Sequence, residues 1–351
     1  MLDLLKQLCQ INGTSGDEER VAEFILANIE PRNAVVRRDY MGNVLVFKKG
    51  KVTPPKTVMF TAHMDEVGFI VTHITKEGFL RFAPVGGIEP GVVFGRKVFF
   101  DKAEGGVIGV IAGKPVHLLS AEEKSQQPKI EDLLIDIGAE DKPQAESLVS
   151  PGDYCYFVSE FEEMPNAAPG NTLAATYLRS KAIDNRIGCA VMLDMMKREL
   201  GYDCVFAFTV QEEIGCRGAA AAAFNLEPDI CVVLEATTAC DTPGVAEDER
   251  ICELGGGPVI SFMDKGTLYD RRLYDIAVQT AAENNLKSQT KSKIVGGNDA
   301  GVIHKTMGGI RTIAVSAPCR YLHTPFSMVN SRDVMEVRTL AEKLLYKYAI
   351  L

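Results

Sequence analysis

The chain has 351 residues, of which 46% are hydrophobic and 24% charged, and carries a formal net charge of −9. That composition belongs to globular proteins rather than disordered or membrane-embedded ones, and the length favours two structural units or one core carrying an insertion. The acidic balance disfavours nucleic acid and anionic membrane as principal partners, because both require a basic face, and leaves small-molecule or peptide substrates.

The opening Met1-Leu2-Asp3-Leu4-Leu5-Lys6 lacks the basic flank and long apolar core of an export signal. No apolar run reaches the ~18 residues a membrane span needs, so the chain reads as cytoplasmic. None of the nine cysteines forms a Cys-x-x-Cys pair, and most sit in apolar stretches, which predicts buried free thiols in a reducing compartment.

In chain order, Ser15-Gly16-Asp17-Glu18 has the spacing of a capping box, and Val21, Phe24, Ile25 and Ile29 recur at helical intervals, predicting a helix from Asp17 to Ile29. Short strands follow at Val35–Arg37 and Val44–Phe47. The compact apolar run Thr57–Thr61 then reads as a strand covered on both faces, and it leads directly into Ala62-His63-Met64-Asp65. From Phe69 to Phe161 the texture changes to short β-rich runs, Phe69–Ile74, Val92–Phe94, Lys97–Phe100 and Val107–Ile111, separated by Gly/Pro punctuation. One helix is predicted within this stretch, at Glu140–Val149. After Ala167, Pro169 and Gly170 an α/β texture returns, with a helix at Ile187–Leu200 and strands at Val205–Val210, Ile230–Leu234 and Thr312–Ser316. The alanine run Ala219–Ala223 reads as part of a helix packed closely on the sheet. The expected fold is a mixed-sheet α/β/α domain, residues 1–68 and 166–351, with an inserted β-barrel at 69–165.

The candidate chemistry lies where these strands end. His63 follows Thr61, Glu212 and Glu213 follow Val210, Glu235 follows Leu234, and His323 lies in the loop beyond Ser316. The carboxyl edge of an α/β sheet is where loops converge over a ligand. Asp184 sits just ahead of a long helix, placed to project its carboxylate from the helix start. Two imidazoles and three carboxylates make a nitrogen/oxygen donor set that suits zinc, cobalt or manganese, and with one carboxylate shared, five side chains can serve two ions. Asp65, two residues past His63, is placed to accept the second imidazole proton. His73, His117 and His304 lie away from this edge and read as structural. Gly255-Gly256-Gly257 and Gly296-Gly297-Asn298-Asp299 lack nucleotide-binding spacing and read as loops.

Four stretches together resemble a known family. Ala62–Gly68, Ile183–Gly188, Gln211–Gly218 and Arg320–Pro325 are similar, in order and spacing, to the signature segments of the co-catalytic zinc or cobalt aminopeptidases of the glutamyl aminopeptidase and cellulase-M group, the tetrahedral (TET) aminopeptidases. The similarity spans nearly the whole chain. The resemblance implies that Asp184 bridges two metal ions, that His323 and Glu213 complete one site and His63 and Glu235 the other, and that Glu212 is the proton-shuttling base. It further implies that Asp65 orients His63, that the Asp184–Asn185 peptide is cis, and that the assembly is a homododecamer built from dimers through the insertion. Residue 235 is glutamate where the family often has aspartate. Two rival readings come from other classes: a glycoside hydrolase acting through two carboxylates, and a non-catalytic assembly scaffold. The first fits poorly, because glycosidase carboxyls stand about 5–9.5 Å apart on opposite sides of the sugar and need no metal.

Overall fold

A computed structural model describes residues 1–30, 33–102, 105–125, 128–165 and 176–351. The strand read as covered on both faces and the three predicted where the α/β texture returns form the middle of one large mixed sheet. Cys204–Thr209, Val58–His63, Ile230–Thr238 and Arg311–Arg320 lie side by side in that order, all parallel. Their residues are almost entirely buried, as expected when helices cover both faces. The edges turn antiparallel: Val44–Lys48 and Ala34–Arg38 extend the sheet on one side, and Ser327–Asn330, Thr176–Ser180 and Glu162–Pro165 on the other.

Helices Leu2–Gln10, Ile183–Met196 and Ser331–Tyr348 pack as one layer, while Arg217–Leu226 and Ala300–Ile303 pack on each other and on the sheet. The approach of Ile183–Met196 is close. A Cβ at Gly188 would lie 2.5 Å from Ala62 Cβ and 2.7 Å from the Leu234 carbonyl oxygen. Only glycine lets this helix rest on the two strands that carry His63 and Glu235.

Between Val58–His63 and Glu162–Pro165 the chain builds a closed six-stranded antiparallel barrel. Its strands run in spatial order Gly68–Ile74, Leu80–Val85, Leu134–Asp136, Val107–Ala112, Lys97–Phe100 and Tyr154–Phe157. It has its own apolar core, in which the Phe69 ring meets Phe82 and Phe157 edge-on. A helix at Lys142–Leu148, capped by Asp141, matches the one expected there.

Several local expectations are corrected. The Val92–Phe94 run forms no strand: a 3₁₀ turn spans Pro90–Val92, where proline fixes the backbone and supplies no donor for a ladder. No capping box forms before Glu19–Ala27. The Ser15 hydroxyl donates to Asp65 instead, and Glu18 accepts from the Gly16 and Gln211 amides, because a buried carboxylate and an unpaired loop amide are the more demanding partners. The helix expected at Ile187–Leu200 starts where it should, because the backbone is non-helical at Asp184 and Asn185 just ahead of it, but it ends earlier, at Met196. The return of α/β texture expected at Ala167, Pro169 and Gly170 lies outside the described residues.

Candidate active site

Register delivers the polar residues to one edge. Thr209 pairs with His63, so the chain leaving that strand carries Glu212 and Glu213 over the imidazole. Glu235 pairs with Ser316 inside the longest parallel pairing of the sheet. Asp184 enters through a sharp departure from helical geometry. Ala182 has φ +55°, the Asp184–Asn185 peptide is cis, and the Asn185 side chain donates to the Leu234 carbonyl at 2.7 Å while accepting from the Gly188 amide. The Asp184 turn is thereby tied to the strand that presents Glu235. His323, at φ +59°, is oriented by the barrel: its Nδ1 bonds to the Gly87 carbonyl at 2.7 Å, leaving Nε2 to face inward.

All five candidate ligands converge. The Asp184 Oδ1 atom lies 3.4 Å from His63 Nε2, and its Oδ2 lies 3.6 Å from His323 Nε2, so one carboxylate presents a different oxygen to each imidazole. Glu235 Oε2 is 3.8 Å from His63 Nε2, and Glu213 Oε1 is 3.2 Å from His323 Nε2. Glu212 Oε2 stands 3.9 Å from His63 Nε2 on the cleft side. Asp65 lies behind His63 and joins two parts of the site. His63 Nδ1 bonds to its backbone carbonyl at 3.0 Å, with the carboxylate at 3.4 Å. The same carboxylate accepts from Ser15 and from the amides of Glu212 and Glu213. Outside the cluster, His73 and His117 are exposed and His304 bonds within its own helix.

The electrostatics identify what this arrangement lacks. Burial is the largest single influence on His63 and disfavours its cation, yet Asp184, Asp65, Glu235 and Glu212 together outweigh it and raise the imidazole well above its usual range. His323 is likewise disfavoured by burial but pushed up to about 11 by Asp184 and Glu213. Burial, with like charges nearby, raises Glu212 and Glu235 well above ordinary carboxylates. Buried oxygens of Asp184 (Oδ1) and Glu235 (Oε1) have no hydrogen-bond partner among the described residues. Acceptors without donors, crowded around imidazoles drawn toward the charged form, fit divalent cations: a cation satisfies the oxygens and returns the imidazoles to neutral ligands.

These residues line a cleft of 710 Å³ whose walls include Gly87 of the barrel, Ile251, Lys291, Val295 and Leu322. Sequence reasoning missed Gly87, Lys291, Cys216 and the anchoring role of Ser15. It left Asp299 unplaced; this carboxylate is wholly buried behind Cys216 and bonded to Thr209.

Fold and site together define a metal-dependent peptide hydrolase built on a mixed α/β sheet. A family model for the M42 glutamyl aminopeptidases matches residues 42–340, and the chain belongs to that family. It is an aminopeptidase, as its relatives indicate. It is 32% identical over 350 residues to the lysyl aminopeptidase of Pyrococcus furiosus, covering 98% of this chain and 96% of that one. To the glutamyl aminopeptidase of Lactococcus lactis it is 30% identical over 352 residues, with coverage of 98% and 96%. Among solved structures, the TET1 peptidase of Pyrococcus horikoshii, which can assemble into a tetrahedron or a large octahedral shell, superposes with a TM-score of 0.82 at 33% identity and covers 98% of both chains. A structure named as an endoglucanase of Thermotoga maritima gives 0.78 at 32% identity, covering 98% of this chain and 97% of that one.

Proposed function

We propose that the chain removes N-terminal residues from peptides with two divalent cations, zinc or cobalt by donor chemistry, bridged by Asp184. His63 and Glu235 would hold one cation; His323 and Glu213 would hold the other. The observation that carries this reading is the Asp184 carboxylate turning one oxygen toward each imidazole. When bound, the cations supply Lewis-acid stabilisation of the developing oxyanion and make water a better nucleophile at neutral pH.

Glu212 is the general base. It sits on the cleft side, farther from His63 than Asp184 and Glu235 are, and burial raises its carboxyl well above the ordinary range, as suits a proton shuttle. Its carboxylate takes the proton from the attacking water and returns it to the leaving amine. Glu213, turned toward His323, is held to ligand duty, and Asp65 fixes the division by gripping both backbone amides. The substrate's free amine is received on the His63/Glu235 side. The longer side chain at position 235 still places its oxygen near His63.

Nine free cysteines support a reducing, cytoplasmic setting. The separate core of the barrel supports residues 69–165 as the unit through which dimers assemble into a homododecamer. The glycosidase reading, raised by the endoglucanase name of one neighbour, lacks support in the site: the carboxylates crowd around two imidazoles instead of standing apart across a sugar-sized gap.

Glu212→Gln tests the assignment. Metal analysis should find two ions per chain retained, and turnover of aminoacyl chromogenic substrates should fall by about 10²–10⁴-fold. Lost metal with retained activity would contradict the roles, and full hydrolysis of β-glucan by a chelated enzyme would favour the glycosidase.

A further inference from the structure

Among the described residues, Cys216 is the only thiol lining the cleft. The turn after the Cys204–Thr209 strand places it there: the amides of Gly215 and Cys216 both donate to the Glu212 carbonyl, at 2.9 and 2.8 Å, and fold residue 216 back over Glu212. The Cys216 Sγ lies 3.6 Å from Glu212 Oε1. Behind it is Asp299, fully buried, with Oδ2 accepting from the Thr209 hydroxyl at 2.6 Å and Oδ1 lacking any partner among the described residues. One donor atom from each of Glu212, Cys216 and Asp299 lies within 4.8 Å of the other two.

The three groups are mismatched as a hydrogen-bonding set. With both carboxylates ionised, a single S–H proton can serve only one of them at a time, so a buried acceptor is left over. A divalent cation would satisfy all three at once, through one thiolate and two carboxylates, with a fourth tetrahedral position open to the cleft. Sulfur selects for borderline and soft ions over magnesium or calcium.

We propose that Glu212, Cys216 and Asp299 form an inhibitory site for a third divalent cation of the zinc or cadmium type, separate from the pair at Asp184. The proposal rests on the reading of Glu212 as the base. On binding, the S–H bond breaks, a sulfur–metal bond forms, and the proton leaves to solvent. The Glu212 carboxylate, now a ligand, can no longer accept a proton from water. Burial first, then Asp299 and Glu212, push the free thiol far above its usual range. That suppresses attack by alkylating or oxidising reagents, which need the thiolate, and makes cation binding at this sulfur compete with its proton, so that it strengthens as pH rises.

The test uses the cobalt-loaded enzyme titrated with cadmium, following the ultraviolet thiolate-to-cadmium charge-transfer band and peptide hydrolysis in parallel. Replacement of a resident ion produces no such band, because the ligands at Asp184 contain no sulfur. Wild type should show one equivalent of the band with a matching loss of turnover. Cys216→Ser should abolish the band and raise the half-inhibitory cadmium concentration by about 10–100-fold. Cys216→Gly, which suits the positive φ of +54°, should do the same and guards against a folding defect in the serine variant. No band in wild type, or a band that persists in both variants, would overturn the site while leaving the Glu212→Gln result untouched. A one-equivalent band with undiminished turnover would overturn the inhibition and, with it, Glu212 as the base.

Discussion

Two buried charged clusters meet at the segment Lys181–Arg186, and they are balanced in opposite ways. On one side, Glu66 is closed by the protein itself: it accepts from Lys181 and the Gly13 amide and faces Arg186, whose guanidinium also donates to the carbonyls of Met64, Leu8 and Ile11. On the other, Asp184, Glu213 and Glu235 crowd against each other, Glu212 and two imidazoles, and buried oxygens of Asp184 and Glu235 have no hydrogen-bond partner among the described residues. A cluster that carries its own cations is a structural clamp. One that lacks them is built to receive cations from outside, and the contrast separates the two functions more sharply than burial or acidity alone.

The comparison breaks most visibly at Glu66. Glu66→Ala leaves Lys181 and Arg186 buried without their carboxylate and should destabilise the chain by about 3–5 kcal/mol, equally with and without metal. Urea unfolding of loaded and chelated protein measures this, and a cost confined to the loaded form would merge the two clusters into one. Metal removal comes next in size. Stripping the wild type with chelator should lower stability by about 2.7 kcal/mol for each site held at a hundred times its Kd, visible as a lower Tm. Smaller still, and of opposite sign to Glu66→Ala, is Glu235→Gln in chelated protein. Burial already disfavours that carboxyl's ionised form, so its neutral replacement should leave chelated stability unchanged or slightly higher while weakening metal retention. A clear loss of chelated stability would show that Glu235 has a partner after all.

The clamp and the metal cluster were unequally legible. Apolar runs ending in charged residues were enough to place His63, Glu213 and Glu235 on one sheet edge, since a strand covered on both faces has no other use for such residues at its end. The extent of those strands was not legible. Ile230–Thr238 continues four residues past Leu234 because its pairing with Arg311–Arg320, rather than its own hydrophobicity, holds Glu235 and Thr237 in the ladder. The role of Ser15 was hidden for a related reason. Local spacing suggested a helix cap, but a buried carboxylate 50 residues away competes more strongly for its hydroxyl. Asp299 carries no local signal either, as a loop aspartate reads the same whether it faces solvent or lies beneath Cys216.

The last way to sharpen the contrast is pH. Burial raises Asp299 from 3.8 to about 6 and Glu18 from 4.5 to about 7, while neighbouring carboxylates overcome burial to raise His323 from 6.5 to about 11. In each case the folded chain keeps a proton that the unfolded chain has released. The stabilisation is therefore complete below the unfolded pKa and is lost as pH rises through the folded one. Asp184 and Asp65 are lowered, because imidazole partners outweigh burial, so their contribution is lost only as pH falls below about 4. Chelated protein should accordingly be most stable near pH 4–5 and decline steadily toward alkaline pH. Metal-loaded protein should behave differently, because cations displace the proton of His323 and those of its fellow ligands and bind more tightly as pH rises. Unfolding curves of the two forms, collected from about pH 4 to 9, should diverge with increasing pH. Parallel curves would mean that protons and cations do not compete for one cluster, and the distinction between an open cluster and a closed clamp would fail.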